Sequence, residues 1–309
     1  MHSSPDRLAR RPSGAAEGRV FYRKRRCTSV RITTLIENSP GSDDRLHSEH
    51  GLSLFVEANG VRMLFDLGPS PRFAANAEVL GLDLAAADLA VISHGHFDHG
   101  GGLARFLELN DHAPVFLRRT ADGPHYSAAL TRERYIGLDL DVLASRPERL
   151  RWVDGETEAA PGVHLLTAIP RSEPRPAGNA RLFLKAGDSF VPDPFDHELV
   201  CVVREPDGMV VLTGCAHSGA TNMVRAAKAR FPDDPIKGVV GGFHLALNAA
   251  TGALAMEPKE VKAFARMLTG LGCARVATGH CTGDKAASLL QGRLGERLTR
   301  LRTGTVLEL

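Results

Sequence analysis

Apolar and polar positions alternate early in the chain and then cluster. Val30–Glu37 (VRITTLIE) reads as a strand. Gly51–Ala58 and Val61–Leu67 alternate on either side of Asn59-Gly60, a strong short hairpin signal. Phe73–Leu80 has helical spacing, as does Gly101–Leu109, where Leu103, Phe106 and Leu107 share a face. Leu89–Ser93 is a short apolar run that ends in a histidine-rich loop. Pro114–Arg118, Leu150–Val153 and Val163–Ala168 are expected strands, with a polar, partly helical stretch between the first two.

Residues 169–198 break the pattern. They hold Pro170, Pro174, Pro176, Pro192 and Pro194 and are expected to form a long functional loop. Two strands follow, Leu199–Arg204 and Met209–Thr213, joined through Pro206-Asp207-Gly208. A helix near Asn222–Arg230, a strand Ile236–Val240, a helix near Lys259–Leu268, a strand Arg275–Ala277 and helices after Gly283 complete the reading. Strands alternating with helices predict a layered α/β domain, with polar residues collecting where strands end.

Composition narrows the class. The chain has 309 residues, 43% hydrophobic and 24% charged. That suits a globular protein and excludes a disordered chain or a small disulfide scaffold. No run of about 18 apolar residues is present, so no transmembrane helix is expected. The net charge of +2 conceals an asymmetry. Residues 1–31 carry nine Lys/Arg against two acids, a net +7, which leaves −5 on the rest. An acidic body argues against nucleic acid as partner. The basic segment 1–29 has no apolar face and is expected to be a disordered tail, with 30–309 as one domain. Five cysteines without a CxxC pair, and no apolar signal segment, point to a reducing cytoplasm.

The candidate chemistry lies in Ser93-His94-Gly95-His96-Phe97-Asp98-His99-Gly100. His94 and His96 are two apart at a strand end, so both side chains point the same way. Asp98 and His99 fall where a helix begins and point elsewhere. Four such groups on so short a segment suit two adjacent ions better than one, and imidazole with carboxylate suits Zn²⁺, Fe or Mn. A solvated histidine-rich loop is the plainer alternative, but the tract follows a buried-type strand and opens a helix.

His94-x-His96-x-Asp98-His99 resembles the signature of the metallo-β-lactamase-fold hydrolases. Asp66 in Leu64–Gly68, His217 in Thr213–Gly219 and His280 in Thr278–Gly283 match further positions of that family. The resemblance implies a four-layered αββα sandwich, α/β in class. It implies one ion on His94, His96 and His217, and a second on Asp98, His99 and His280. Asp66 would orient the metal loop from behind. Asp98 would also act in catalysis. Glu49-His50, Thr213–Gly219, Gly241–Leu245 and His280–Gly283 are similar to a subgroup that includes the dihydropterin ribofuranosyl-aminobenzene 5′-phosphate synthases. That likeness puts Glu49 and His50 near the metals, as substrate-binding residues, although on sequence alone His50 reads as a surface histidine. His244 follows a strand and a Gly pair, so it is either a catalytic, substrate-facing group that stabilises the oxyanion or a satisfied core histidine.

Two departures stand out. The Thr-x-x-His turn usual before the Gly-Asp strand is missing, and His197 is the one residue placed to replace it. Cys215 stands where the metal-bridging carboxylate is usual, and it is either a ligand or inert packing. Several smaller readings stay open. Gly100-Gly101-Gly102 can seat a phosphate on free amides or simply pack tightly. Ser218 is expected to cap a helix. Phe183, Phe190 and Phe195 can wall a flat slot for a pterin. His2, His47, His112, His125 and His164 have no supporting context. The leading expectation is a hydrolase with two divalent ions, Zn foremost, acting on a small molecule that carries an ester or phosphoester. A synthase-type transferase and a non-catalytic metal or ligand sensor are the alternatives.

Overall fold

Asn59 and Gly60 both take positive φ, 54° and 78°. That pairing lets a two-residue turn follow the right-handed twist of its strands. The computed structural model describes residues 29–129, 132–248 and 252–309. Most of the basic segment expected as a disordered tail, residues 1–28, lies outside them.

Around this hairpin grow two seven-stranded sheets. The first begins with β1 (Arg31–Ile36), β2 (Ser53–Ala58) and β3 (Val61–Phe65), all antiparallel. It continues in parallel through β4 (Leu89–Val91) and β5 (Val115–Arg118). A hairpin, β6 (His125–Ala129) and β7 (Arg132–Tyr135), then leaves the sheet before β8 (Leu150–Val153) joins its edge. The second sheet starts with β9 (Thr157–Ala160) and β10 (Val163–Leu166). A second hairpin, β11 (Leu182–Ala186) and β12 (Ser189–Pro192), pairs with β6 to form a separate four-stranded sheet. The second large sheet resumes with β13 (Val200–Glu205) and β14 (Gly208–Thr213), then turns parallel at β15 (Ile236–Gly241). After a short pair, β16 (Ala246–Asn248) and β17 (Ala253–Leu254), come β18 (Arg275–Thr278) and β19 (Leu298–Arg300). The last strand, β20 (Val306–Glu308), returns to the first sheet beside β1.

The two large sheets are apolar on both faces, which explains their near-continuous hydrophobic runs. In β14, Val210 and Leu212 face the other sheet, where they meet Leu54, Val56 and Phe65. Met209 and Val211 face outward onto the helices Ala220–Arg230, Pro258–Gly270 and Asp284–Leu294. On the other outer face, Phe55 and Leu64 pack under Phe73, Leu103 and Phe106 of the helices Arg72–Val79 and Leu103–Leu109. The order is helix, sheet, sheet, helix, the four layers expected. Fully burying one such Leu or Phe is worth about 1.5–3 kcal/mol. Cys201 lies between the sheets, and burial pushes its thiol far above the usual range. It is a core residue.

Three expectations need correction. Residues 169–198 are not one long loop, since β11 and β12 lie within them. The stretch between β5 and β8 carries a hairpin as well as the short helix Leu140–Ser145. The chain ends in two strands, not in helices alone. The missed strands are short, and the pairings that place them, β6 with β11 and β20 with β1, join residues remote in sequence that local periodicity does not mark. Among the described residues, no helix is long and apolar enough to cross a membrane.

Candidate metal centre

Every parallel strand in the middle of the two large sheets except β5 delivers a polar group just past its C-terminal end. Asp66 follows β3, and Ser93 to His99 follow β4. Cys215 and His217 follow β14, His244 follows β15, and His280 follows β18. Asp66, Phe195, Ala216, His244 and His280 all have positive φ, between 48° and 60°. Residues held there are costly for L side chains, and such strain collects where a site must be shaped.

The loop after β4 hangs from Asp66. Its carboxylate accepts from Ser93 N (2.7 Å), Ser93 Oγ (2.9 Å) and His99 Nδ1 (2.6 Å). Since Ser93 Oγ donates to Asp66, its lone pairs accept from His94 Nδ1 at 2.9 Å. His217 Nδ1 meets Asn179 Oδ1 (3.0 Å), and His280 Nδ1 meets Asn38 Oδ1 (2.9 Å). An imidazole whose Nδ1–H is held by oxygen presents a bare Nε2. His94 Nε2 lies 3.0 Å from His96 Nδ1. His99 Nε2 lies 3.2 Å from both Cys215 Sγ and His280 Nε2. His217 Nε2 is buried with no hydrogen-bond partner.

Lone pairs turned toward one another are unfavourable unless a cation or proton sits between them, so the donor set fits divalent metal ions. Two groupings within ligand reach stand out: His94, Cys215 and His217, and His99, Cys215 and His280. Cys215 belongs to both. Asp98 joins His50 and His280 in a third.

The charge states divide the set. Burial, reinforced by neighbouring imidazoles, pushes His94 and His217 well below the usual histidine range. Burial does the same to His96. All three therefore offer lone pairs at neutral pH. Burial alone would depress His99 as well, but Asp66 and Asp98 outweigh it and lift His99 to about 9. Burial would raise Asp98, yet His99, His280 and His50 hold it well below the carboxylate range. Burial raises the Cys215 thiol, so a cation must displace its proton before it can ligate.

A cavity of about 210 Å³ opens over these groups. His50 sits at its rim, with Nε2 3.2 Å from Asp98 Oδ2. His244 lines it, with its ring centroid 4.4 Å from that of His217 and Nδ1 unpartnered. Opposite stands the hairpin β6–β7, which contributes Ser127 and Arg134. Arg134 rests 5.1 Å from the Phe97 ring, and among the described residues no carboxylate pairs with it.

Other sequence-based expectations land elsewhere. Glu49 is turned away from the cavity and accepts from Ser70 Oγ at 2.6 Å, with Arg72 at 3.5 Å. His197 accepts from Gly95 N through Nδ1 and bonds Asp193 through Nε2, so it does not replace the missing turn ligand. Ser218 does not cap the helix Ala220–Arg230. Its N–H donates to Glu198, and the cap residue is Gly219. The amides of Gly100, Gly101 and Gly102 are all bonded to carbonyls, which leaves none for a phosphate. Phe195 stacks on His217 at 4.5 Å, and Phe190 packs on Tyr126. The aromatic ring that lines the cavity is Phe97, not Phe183, Phe190 or Phe195. Arg134, Asp193 and Glu198 carried no signal in the sequence. Burial pushes Glu198 up to about 7, although His217 N and Ser218 N donate to it.

Fold and ligand set together define a metallo-β-lactamase-type protein. A family model of the metallo-β-lactamase superfamily matches residues 49–280, and the chain belongs to that superfamily. Among curated proteins it is similar to the 7,8-dihydropterin-6-methyl-4-(β-D-ribofuranosyl)-aminobenzene-5′-phosphate synthase of Methanocaldococcus jannaschii. The two are 27% identical over 91% of this chain and 97% of that one. Among solved structures it is similar to a metal-dependent hydrolase of the β-lactamase superfamily. That match is 31% identical over 91% of this chain and 99% of the other, with a TM-score of 0.75. The zinc-bound PqqB of Methylobacterium extorquens shares the fold at 12% identity over 90% of this chain and 100% of that one, with a TM-score of 0.55.

Proposed function

We propose that the protein is a metal-dependent hydrolase of a small anionic ester or phosphoester. The observation that carries this reading is the convergence of inward-turned imidazole nitrogens, those of His94, His96 and His217 neutral, beneath an open cavity. His94, His96 and His217 would hold one divalent ion, and Asp98, His99 and His280 a second. Cys215 would sit between them. Zinc fits the nitrogen and sulfur donors best, and iron or manganese would also be accepted. Two such ions supply Lewis acidity and lower the pKa of water toward about 7.

The chain's own groups then have distinct tasks. Asp98, anionic and held by His50, would orient the attacking water by accepting its hydrogen bond. His244 faces the cavity with an uncommitted ring nitrogen and can donate to the oxyanion as charge develops. Arg134, unpaired at the rim, is placed to hold an anionic group such as a phosphate. No serine nucleophile is required.

A second reading has its own support. The similarity to the synthase runs along 97% of that relative. A transferase joining a dihydropterin to a phosphoribosyl-aminobenzene unit would use the same cation pair and the same anion anchor. Metal-loaded protein incubated with lactones, phosphomonoesters and phosphodiesters, and separately with the two synthase substrates, distinguishes the readings by product mass. Hydrolysis of an anionic ester is the expected result. A coupled pterin product without hydrolysis would favour the synthase, and no turnover of any kind would leave a sensor. In the hydrolase, Arg134→Ala should raise KM at least tenfold for anionic esters and leave neutral ones unchanged, as steady-state kinetics will show.

A further inference from the structure

Four of the five metal-facing histidines have an oxygen behind them, and His96 does not. Ser93, Asp66, Asn179 and Asn38 hold the Nδ1 atoms of His94, His99, His217 and His280. His96 is reversed. Its Nδ1 faces His94 Nε2, so its Nε2 points away from the centre, buried and unpartnered. When Nδ1 gives its lone pair to a cation, the ring proton must sit on Nε2. That leaves a buried donor in need of an acceptor.

Behind His96 lies a cluster outside the centre already described: His125, Asp193 and His197, all buried. Hydrogen counting fixes their tautomers. His197 Nδ1 accepts from Gly95 N (2.9 Å), so its proton is on Nε2, which donates to Asp193 Oδ2 (3.3 Å). Asp193 Oδ1 accepts from Phe195 N (2.7 Å), and Oδ2 also accepts from His125 Nδ1 (2.9 Å). The proton of His125 is therefore on Nδ1, and its Nε2 carries a lone pair. That atom, too, is buried without a partner. The His96 and His125 rings meet edge-on with centroids 5.6 Å apart. Gly95 packs closely here: a Cβ would come within 2.4 Å of Ala121 O and 2.8 Å of His125 Nε2.

We propose that His125, held by Asp193, is the acceptor for His96 Nε2–H and so orients His96 as a ligand. His125 and Asp193 are positioning residues. They come from the small sheet and the segment after β12, which this assignment ties to the metal loop. The four side chains resemble the donor set of a third cation site, but both nitrogens of His197 are committed, and the His96 nitrogen on this side carries the ring proton once Nδ1 ligates. Only His125 Nε2 and a shared carboxylate would be left for such an ion. This inference rests on the reading of His96 as a metal ligand.

The test uses the full-length chain loaded with Co²⁺ or Zn²⁺. Affinities are measured by chelator competition, and Co²⁺ absorption reports ligand geometry. His125→Leu removes the acceptor, whereas His125→Gln retains one, and His96→Ala is the control. The expected result is a 10–100-fold loss of affinity at one cation in His125→Leu with an altered Co²⁺ spectrum. His125→Gln should stay within about threefold of the parent, and the second cation should be unaffected. If His125→Leu does not fold, Asp193→Asn, which keeps the volume and loses the charge, should show the same selective loss. Equal affinities in the Leu and Gln variants, alongside a loss in His96→Ala, would overturn this inference alone. Unchanged affinity in His96→Ala would overturn the metal reading with it. A third equivalent of metal that disappears in His125→Leu would make the cluster a cation site and likewise overturn the proposal.

Discussion

At the scale of single residues, the centre is defined by which nitrogen each imidazole presents. His94, His99, His217 and His280 turn Nε2 inward because an oxygen holds Nδ1, and His96 turns Nδ1 inward. The same groups set how the metal-free protein responds to pH. His94, His96 and His217 titrate below their ordinary value of 6.5 when folded. The unfolded chain therefore binds more protons in acid, and their contribution to stability is lost as pH falls below 6.5. His99, lifted to about 9, keeps a proton that the unfolded chain has released, so its contribution is lost as pH rises from 6.5 to 9. Glu198, lifted from 4.5 to about 7, acts in the same sense between those values, one group against three. Thermal unfolding in chelator should give a midpoint that rises from pH 5 to about 6.5 and declines toward pH 9. A midpoint climbing steadily to pH 9 would show that His99 is not held by Asp66 and Asp98.

At the scale of elements, the centre depends on strand ends fitting closely. Gly214, just after β14, lies so near the loop after β4 that a Cβ would come within 2.0 Å of Ser93 Oγ. Ser93 links His94 to Asp66, so Gly214→Ala should destabilise the fold by about 1–3 kcal/mol and also reduce retained metal. Calorimetry with elemental analysis checks both, and a variant of full stability and metal content would refute the close fit. Much of this was legible in the sequence. Strands such as β14 are buried on both faces and read as unbroken apolar runs, and the His94–His99 tract sits at the end of one. The hairpins β6–β7 and β11–β12 were not legible, because their pairing joins Leu182 to Ser127 and local periodicity carries no such information. His125, Arg134 and Asp193 were hidden for the same reason. Ser218 misled because helix caps are judged from neighbours, whereas the N–H groups there are taken by Glu198 from twenty residues away.

At the scale of the whole molecule, the two halves of the chain meet at the candidate metal centre. His94, His96, Asp98 and His99 belong to the first sheet, and Cys215, His217 and His280 to the second. Backbone hydrogen bonds between Val30 and Leu309 close the fold at its two ends. A cation held by both halves therefore acts as a cross-link. At a thousand times its Kd it stabilises the folded state by about 4 kcal/mol. The near-neutral net charge also takes on a different sense. The acidic body is the part that carries the ligands, and divalent ions would offset most of its −5. The most direct test of the account is the metal content per chain, by elemental analysis, of the parent protein and His280→Ala. The account predicts two equivalents in the parent and one in the variant, with the ion on His94, His96 and His217 retained. Two equivalents in both, or no more than one in the parent, would contradict it.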